Sequence, residues 1–143
     1  VLRRLKFDNN TIKDVCKLVR WHDFGMGCVP KKNTIRKLLG EVGKDFFPYI
    51  IEIKKADMAA QSDYKLEERQ SQLAELEKKY EEIVADADCV RIKDLKVNGG
   101  DLIKLGIKPG PQMGEILQKL LDMVIEDPEK NDREYLIEQV KMM

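Results

Sequence analysis

The 143-residue sequence has one histidine, one tryptophan, three cysteines and no net charge. The single histidine, His22, cannot supply the set of imidazoles and carboxylates that a metal-dependent HD phosphohydrolase draws from separate helices. Cys16, Cys28 and Cys89 are odd in number, widely spaced and form no CxxC pair. They read as thiols of a reduced, cytoplasmic protein. Cys16 and His22 stand six residues apart, nearly opposite in helical phase, so no Cys–His nucleophilic dyad reads from them. No apolar run approaches the ~20 residues that span a bilayer. No apolar core of a signal peptide follows Val1-Leu2-Arg3-Arg4. Strand-like alternation, internal repeats and low-complexity tracts are absent too.

What is present is helical. Hydrophobic residues make up 43% and charged residues 36% of the chain, the balance of a surface-rich helical protein. The length suits one domain, or two small helical lobes sharing a seam. Zero net charge conceals blocks. Residues 1–55 carry 13 Lys/Arg against 6 Asp/Glu, and 56–90 carry 4 against 10. Residues 91–119 carry 6 against 3, and 120–143 carry 3 against 7. Two basic stretches can still present a local positive surface to a polyanion, although solvated helix faces give the same pattern.

Val1 to Phe7 reads as the end of a helix already under way, so the chain is read as a fragment. Asn9 or Asn10 is expected to cap the next helix, with Ile12, Val15, Cys16 and Val19 on its apolar face. Residues 24–33 read as a loop marked by Gly25, Gly27 and Pro30. Asn33 is the expected cap of a helix whose Ile35, Leu38, Leu39 and Val42 fit the i, i+3, i+4, i+7 template, with Gly43 at its left-handed stop. Asp45 is expected to cap a third helix, with Pro48 in its first turn. That helix buries Phe47, Ile50, Ile51, Ile53 and Ala56 and runs to about Ser62.

Residues 64–87 predict a long helix. Leu66, Leu73 and Tyr80 repeat every seven, and Leu76 and Ile83 form a second row. Arg69 interrupts a seam position, so packing along the body fits better than a free coiled coil. Residues 89–96 read as irregular or briefly extended. A short helix follows over 100–105, stopped by Gly106. Pro111 opens a helix with Ile116, Leu117, Leu120, Leu121, Val124 and Ile125 inward, and Pro128 stops it. Asn131 with Glu134 reads as the capping pair of a last helix striped by Leu136, Ile137 and Val140.

One stretch carries a denser pattern. It holds Asn98-Gly99 with Asp101-Leu102, then Leu105-Gly106, Pro109-Gly110-Pro111, Gly114 and Leu117, then Leu120-Leu121, Asn131 and Leu136. Many fixed residues in fixed order resemble the C-terminal signature of bacterial tRNA nucleotidyltransferases, the CCA-adding and poly(A)-polymerase-type enzymes. Residues 4–23, 34–43 and 54–61 resemble successive helices of the HD-type helical region found in many of them. The resemblance implies an all-α fold: a partial HD-like region at 1–63, a connecting helix at 64–90 and a C-terminal lobe at 91–143. It also implies tRNA as partner. The nucleotidyltransferase head, with its Gly-Ser loop and paired aspartates, is not among these residues. The Mg²⁺ used by those aspartates belongs to the parent enzyme, so no catalytic residue and no cofactor is assigned to this chain.

The turn at Gly110 reads as phosphate-facing, because a helix opening at Pro111 presents free N–H groups and a partial positive charge. Lys104, Lys108 and Lys119 lie near it in sequence. Trp21 and the basic run Arg20, Lys31, Lys32, Arg36 and Lys37 offer a second RNA surface, with Arg36 and Lys37 expected to face solvent. A rigid inter-helix corner and a core tryptophan are the plainer alternatives. By resemblance, His22 and Asp57 are two remnants of a metal site, an incomplete set that otherwise serves packing and salt bridging. The functional expectation is binding and positioning of tRNA. A metal-dependent HD phosphohydrolase fragment, or a purely structural helical module, is the alternative.

Overall fold

The computed structural model describes residues 1–61 and 63–143; the expected helix end at Ser62 lies outside the described residues. Seven α-helices occur among them, and no strand. The helices are α1 (Asn9–Trp21), α2 (Lys32–Val42), α3 (Phe47–Ala60), α4 (Leu66–Ala85), α5 (Gly99–Lys104), α6 (Pro111–Glu126) and α7 (Arg133–Met142). Short 3₁₀ turns at Ile92–Asp94 and Pro128–Lys130 join the later ones. No helix among the described residues is long and apolar enough to cross a membrane.

The apolar residues divide into two cores. α2, α3 and α4 bury Ile35, Leu39, Phe47, Ile50, Leu76 and Ile83 in the first, which Val90 closes. Leu95, Val97, Leu102, Leu120, Val124 and Leu136 lie in the second, built on α5, α6 and α7. The boundary falls between neighbours, because Cys89 belongs to the second core and Val90 to the first. α4 lies along the first lobe and packs on both α2 and α3. Its Leu73, Leu76 and Ile83 are buried, and its charged face is tied by Lys55–Glu77 (2.7 Å) and Lys32–Glu82 (2.6 Å). Exposed pairs of this kind contribute about 0–1 kcal/mol each, so apolar packing holds α4 in place.

Helix starts depart from the sequence reading in a consistent way. Asp8, not Asn9 or Asn10, caps α1, accepting from the Asn10 and Thr11 amides at 3.0 Å. The Thr11 hydroxyl also donates to it, and these bonds hold the Asp8 carboxyl below its ordinary value. Asp132, not Asn131, caps α7. Asn131 instead pins the segment before α5: its amide donates to the Asp94 carbonyl (3.1 Å) and accepts from the Lys96 N–H (3.0 Å). Neither Asn33 nor Asp45 caps anything, since α2 and α3 start without a side-chain cap. Pro48 does sit in the first turn of α3, and Gly43 follows α2 with φ 100°. Ala56 is exposed rather than buried, because it falls on the outer face of α3.

Cys16 is exposed, so the expected core role is wrong: α1 buries no residue fully and turns this thiol outward. Cys28 is exposed as well. Cys89 is buried, and burial with Asp94 nearby pushes its thiol up to about 11. A thiol that stays protonated at neutral pH is a poor nucleophile. A thiol-reactive dye at pH 8 is therefore expected to label two cysteines quickly and the third only in denaturant. Fast labelling of all three in the native protein would contradict the burial of Cys89.

Candidate nucleic-acid interface

The turn between α5 and α6 is built by local chemistry. Asn98 accepts from the Gly100 amide (2.8 Å) and the Asp101 amide (3.2 Å), and Asp101 accepts from the Asn98 N–H (3.2 Å). This reciprocal pair starts α5 and places Leu102, 1% exposed, in the second core. Asp101 also takes Arg133 of α7 at 2.7 Å, which locks the two helices together. At the other end Gly106, with φ 90°, donates to the Ile103 carbonyl, and Ile107 donates to that of Leu102. Paired bonds of this kind stop a helix and return the chain. The glycine-rich motif is thus largely a set of helix starts and stops.

Gly110 stands before α6 with φ 158° and ψ −172°, a conformation open essentially to glycine alone. Pro111 follows, and no side chain caps the first turn of α6. Lys104, Lys108 and Lys119 are all exposed, and none has an ion-pair partner among the described residues. Lys104 and Lys108 flank the turn. Lys119 lies two turns further along α6, on an outer face that it shares with Glu115, Asp122 and Glu126. Gly114 sits inside α6 with nothing within 4 Å of where a Cβ would stand. No internal packing requires this glycine, although glycine in a helix costs about 0.5–1 kcal/mol against alanine.

The second basic surface is not as expected. Arg36 is 7% exposed, not solvent-facing. It stands on the flank of the α2 stripe, and α6 covers that flank. Its Nε donates to Asp88 at 2.7 Å, and its terminal nitrogen donates to the Ile125 carbonyl at 3.1 Å. Lys37, one residue on, is exposed and lines a shallow inter-lobe groove with Arg91 and Lys93. Trp21 is half-buried against the first core, edge-on to Phe24 at 6.3 Å, with Arg20 over its ring at 5.3 Å.

His22 and Asp57 both line one groove of about 420 Å³ between the α1–α2 loop, α3 and α4, without a bond between them. The His22 Nδ1 lies 2.7 Å from the Val19 carbonyl, and Asp57 accepts from Gln61 at 2.6 Å. Lys54 lies in the same groove, its amine lowered by burial while Asp23 and Asp57 pull it back up. No group of three His, Cys, Asp or Glu able to hold a metal occurs among the described residues. One imidazole and one carboxylate do not fit Mg²⁺, which demands a near-octahedral oxygen shell. The groove and the α5–α6 turn lie on different lobes.

Sequence reasoning missed the seam. Arg91, whose Nε donates to the Gly40 carbonyl at 3.3 Å, and the partners of Arg36 carry no local signal, because they lie 51 to 89 residues away.

Comparison with known proteins gives short, strong matches. The chain is 50% identical over 44 residues to the CCA-adding enzyme of Limosilactobacillus fermentum, 31% of this chain and 11% of that protein. It is 46% identical over 52 residues to the CCA-adding enzyme of Ligilactobacillus salivarius, 36% of this chain and 13% of that protein. For the CCA-adding enzyme of Pediococcus pentosaceus the values are 43% over 58 residues, 38% and 15%. The matched stretches thus span less than a sixth of these relatives. No solved structure gives a significant match. A family profile described as tRNA nucleotidyltransferase domain 2 matches residues 1–140. With nearly its whole length matched, this chain belongs to the tRNA nucleotidyltransferase domain 2 family.

Proposed function

We propose that this chain is the tRNA-positioning portion of a CCA-adding-type nucleotidyltransferase and grips the tRNA backbone with the turn from Lys104 to Gly114. In this reading residues 1–63 are the HD-like part, and the catalytic head and its Mg²⁺ belong to the rest of the enzyme. That enzyme adds nucleotides to tRNA 3′ ends in the cytoplasm. The chain itself transfers no nucleotide. Gly114 is the observation that carries the contact: a bare stretch of helix backbone with no internal use, next to an uncapped helix start and two unpaired lysines. Such a surface lets a phosphate approach the main chain closely, with the positive end of the helix dipole favouring it. Phosphate contacts position a nucleic acid without reading its bases, which matches a part that orients tRNA.

The test compares tRNA lacking CCA with single-stranded RNA of equal length across a salt series. The chain is expected to prefer tRNA and to weaken as salt rises. Replacing both Lys104 and Lys108 by alanine is expected to reduce the salt slope by about 2, one for each phosphate that no longer meets an ammonium group. Gly114→Leu gives a sharper sign. It is expected to raise stability by about 0.5–1 kcal/mol through helix propensity and to lower tRNA affinity by blocking the backbone. Unchanged tRNA binding in all these variants would remove the turn from the interface.

A further inference from the structure

The two cores share no residue, so their relative orientation depends on what crosses between them. Arg36 does the most. It neutralises Asp88 with one edge of its guanidinium and reaches the last turn of α6 with the other. The carbonyls of a final helical turn have no partner within the helix, and a cation there also meets the negative end of the helix dipole. Arg36, from the first lobe, thus serves as the C-terminal cap of the second lobe's longest helix. Lys44 donates to the Asp88 carbonyl at 3.0 Å, which fixes the residue whose carboxylate holds Arg36.

The opposite end of that helix is the Gly110–Gly114 turn. α6 has 16 residues, so it is about 24 Å long. A tilt of about 10° at the Arg36 end moves the turn by roughly 4 Å, enough to break a direct phosphate contact. We infer that Arg36 is a positioning residue: it fixes the direction of α6 from its C-terminal end and so sets where the α5–α6 turn stands relative to the first lobe. The inference rests on the reading of that turn as an RNA contact. It assigns Arg36 a role in tRNA binding without touching RNA.

The experiment uses the full chain with Cys16 and Cys28 replaced by serine and spin labels at Ser71→Cys on α4 and Gln112→Cys on α6. Pulsed dipolar spectroscopy reads the distance distribution between the lobes. The unaltered Arg36 protein is expected to give one narrow distance. Arg36→Met is expected to broaden it by several ångströms while both lobes remain folded. Arg36→Lys keeps the charge opposite Asp88 but loses the fork, so it is expected to fall between the two, and it carries the test if the methionine variant fails to fold. Ile51→Val, which weakens the first core away from the seam, is expected to leave the distribution narrow. A narrow distribution in both Arg36 variants, with only the melting temperature lowered, would overturn the proposal and leave Arg36 as a stabilising core residue.

tRNA binding separates this from a direct contact. Arg36→Met or Arg36→Lys is expected to weaken tRNA binding with the salt slope unchanged, because the bound complex selects the orientation in which the turn's cations still meet phosphate, and the loss is the population cost of reaching that orientation. A slope reduced as in the lysine variants of the turn would mean that Arg36 touches RNA after all, and would overturn the inference. The spectroscopic result is read without RNA, so failure of the RNA-binding reading and failure of the lock are distinguishable.

Discussion

Phe47→Ala is expected to destabilise the chain by about 3–5 kcal/mol, a large part of the ~5–15 kcal/mol that holds a domain of this size folded. Phe47 is fully buried and stands at the centre of an aromatic row. Tyr80 of α4 stacks on it with ring centroids 4.8 Å apart, and Phe24 meets it edge-on at 6.4 Å. Removing the ring leaves a cavity that α2, α3 and α4 cannot close together, since each is held by other core residues. It also strips Tyr80 of its stacking face, although its hydroxyl still reaches the Lys44 carbonyl at 2.9 Å. Phe47→Leu keeps most of the volume and is expected to cost less than about 1.5 kcal/mol. Urea unfolding followed by far-UV circular dichroism measures both. A loss under about 1 kcal/mol for the alanine variant would mean that the first lobe repacks and that Phe47 is not its centre.

Gly40→Ala comes second, and its sign is the informative part. Gly40 lies inside α2, where helix propensity alone favours alanine by about 1 kcal/mol. A Cβ there would stand 2.5 Å from the Val90 carbonyl oxygen, a backbone atom that cannot swing aside as a side chain can. The Gly40 carbonyl also accepts from Arg91, so the two segments are clamped at the point of conflict. Net destabilisation by about 1–3 kcal/mol is expected, the usual cost of forcing extra atoms into packed structure. Thermal denaturation decides it: a raised melting temperature would show that the seam can open without cost. Gly40 and Gly114 are thus both helix-interior glycines with opposite expected responses, because one faces a backbone within the chain and the other faces open space.

The sequence reading succeeds where periodicity is local. The stripe Ile35, Leu38, Leu39, Val42 appears as read, all buried, and Pro111 opens α6 as its missing N–H predicts. It slips by a residue or two at helix starts, where Asp and Asn stand side by side. Asp8 and Asp132 take the caps, leaving Asn131 free for a bond to a segment over 30 residues away that no local rule reveals. Arg36 shows the larger limit. A charged residue off an apolar stripe reads as exposed, and only the fold brings Asp88 and the end of α6 against it. The candidate tip was legible because its glycines, prolines and flanking lysines lie within 11 residues of one another. That His22 and Asp57 line the same groove is not readable from their spacing, since 35 residues separate them.

The split between the cores has a consequence for the order in which the chain is made. Every buried residue of the first core lies between Ile35 and Val90, and every one of the second between Cys89 and Val140. During synthesis the first lobe can close as soon as Val90 has left the ribosome, before α6 has emerged to pack against it. Asp88 emerges just before that closure, so the Arg36 guanidinium meets its counter-ion as water is withdrawn and avoids the cost of burying an unpaired charge. The bond to Ile125 comes later. The nascent chain thus carries a finished first lobe with one prepared donor, and the second lobe, as it forms, finds the end of its longest helix already provided for.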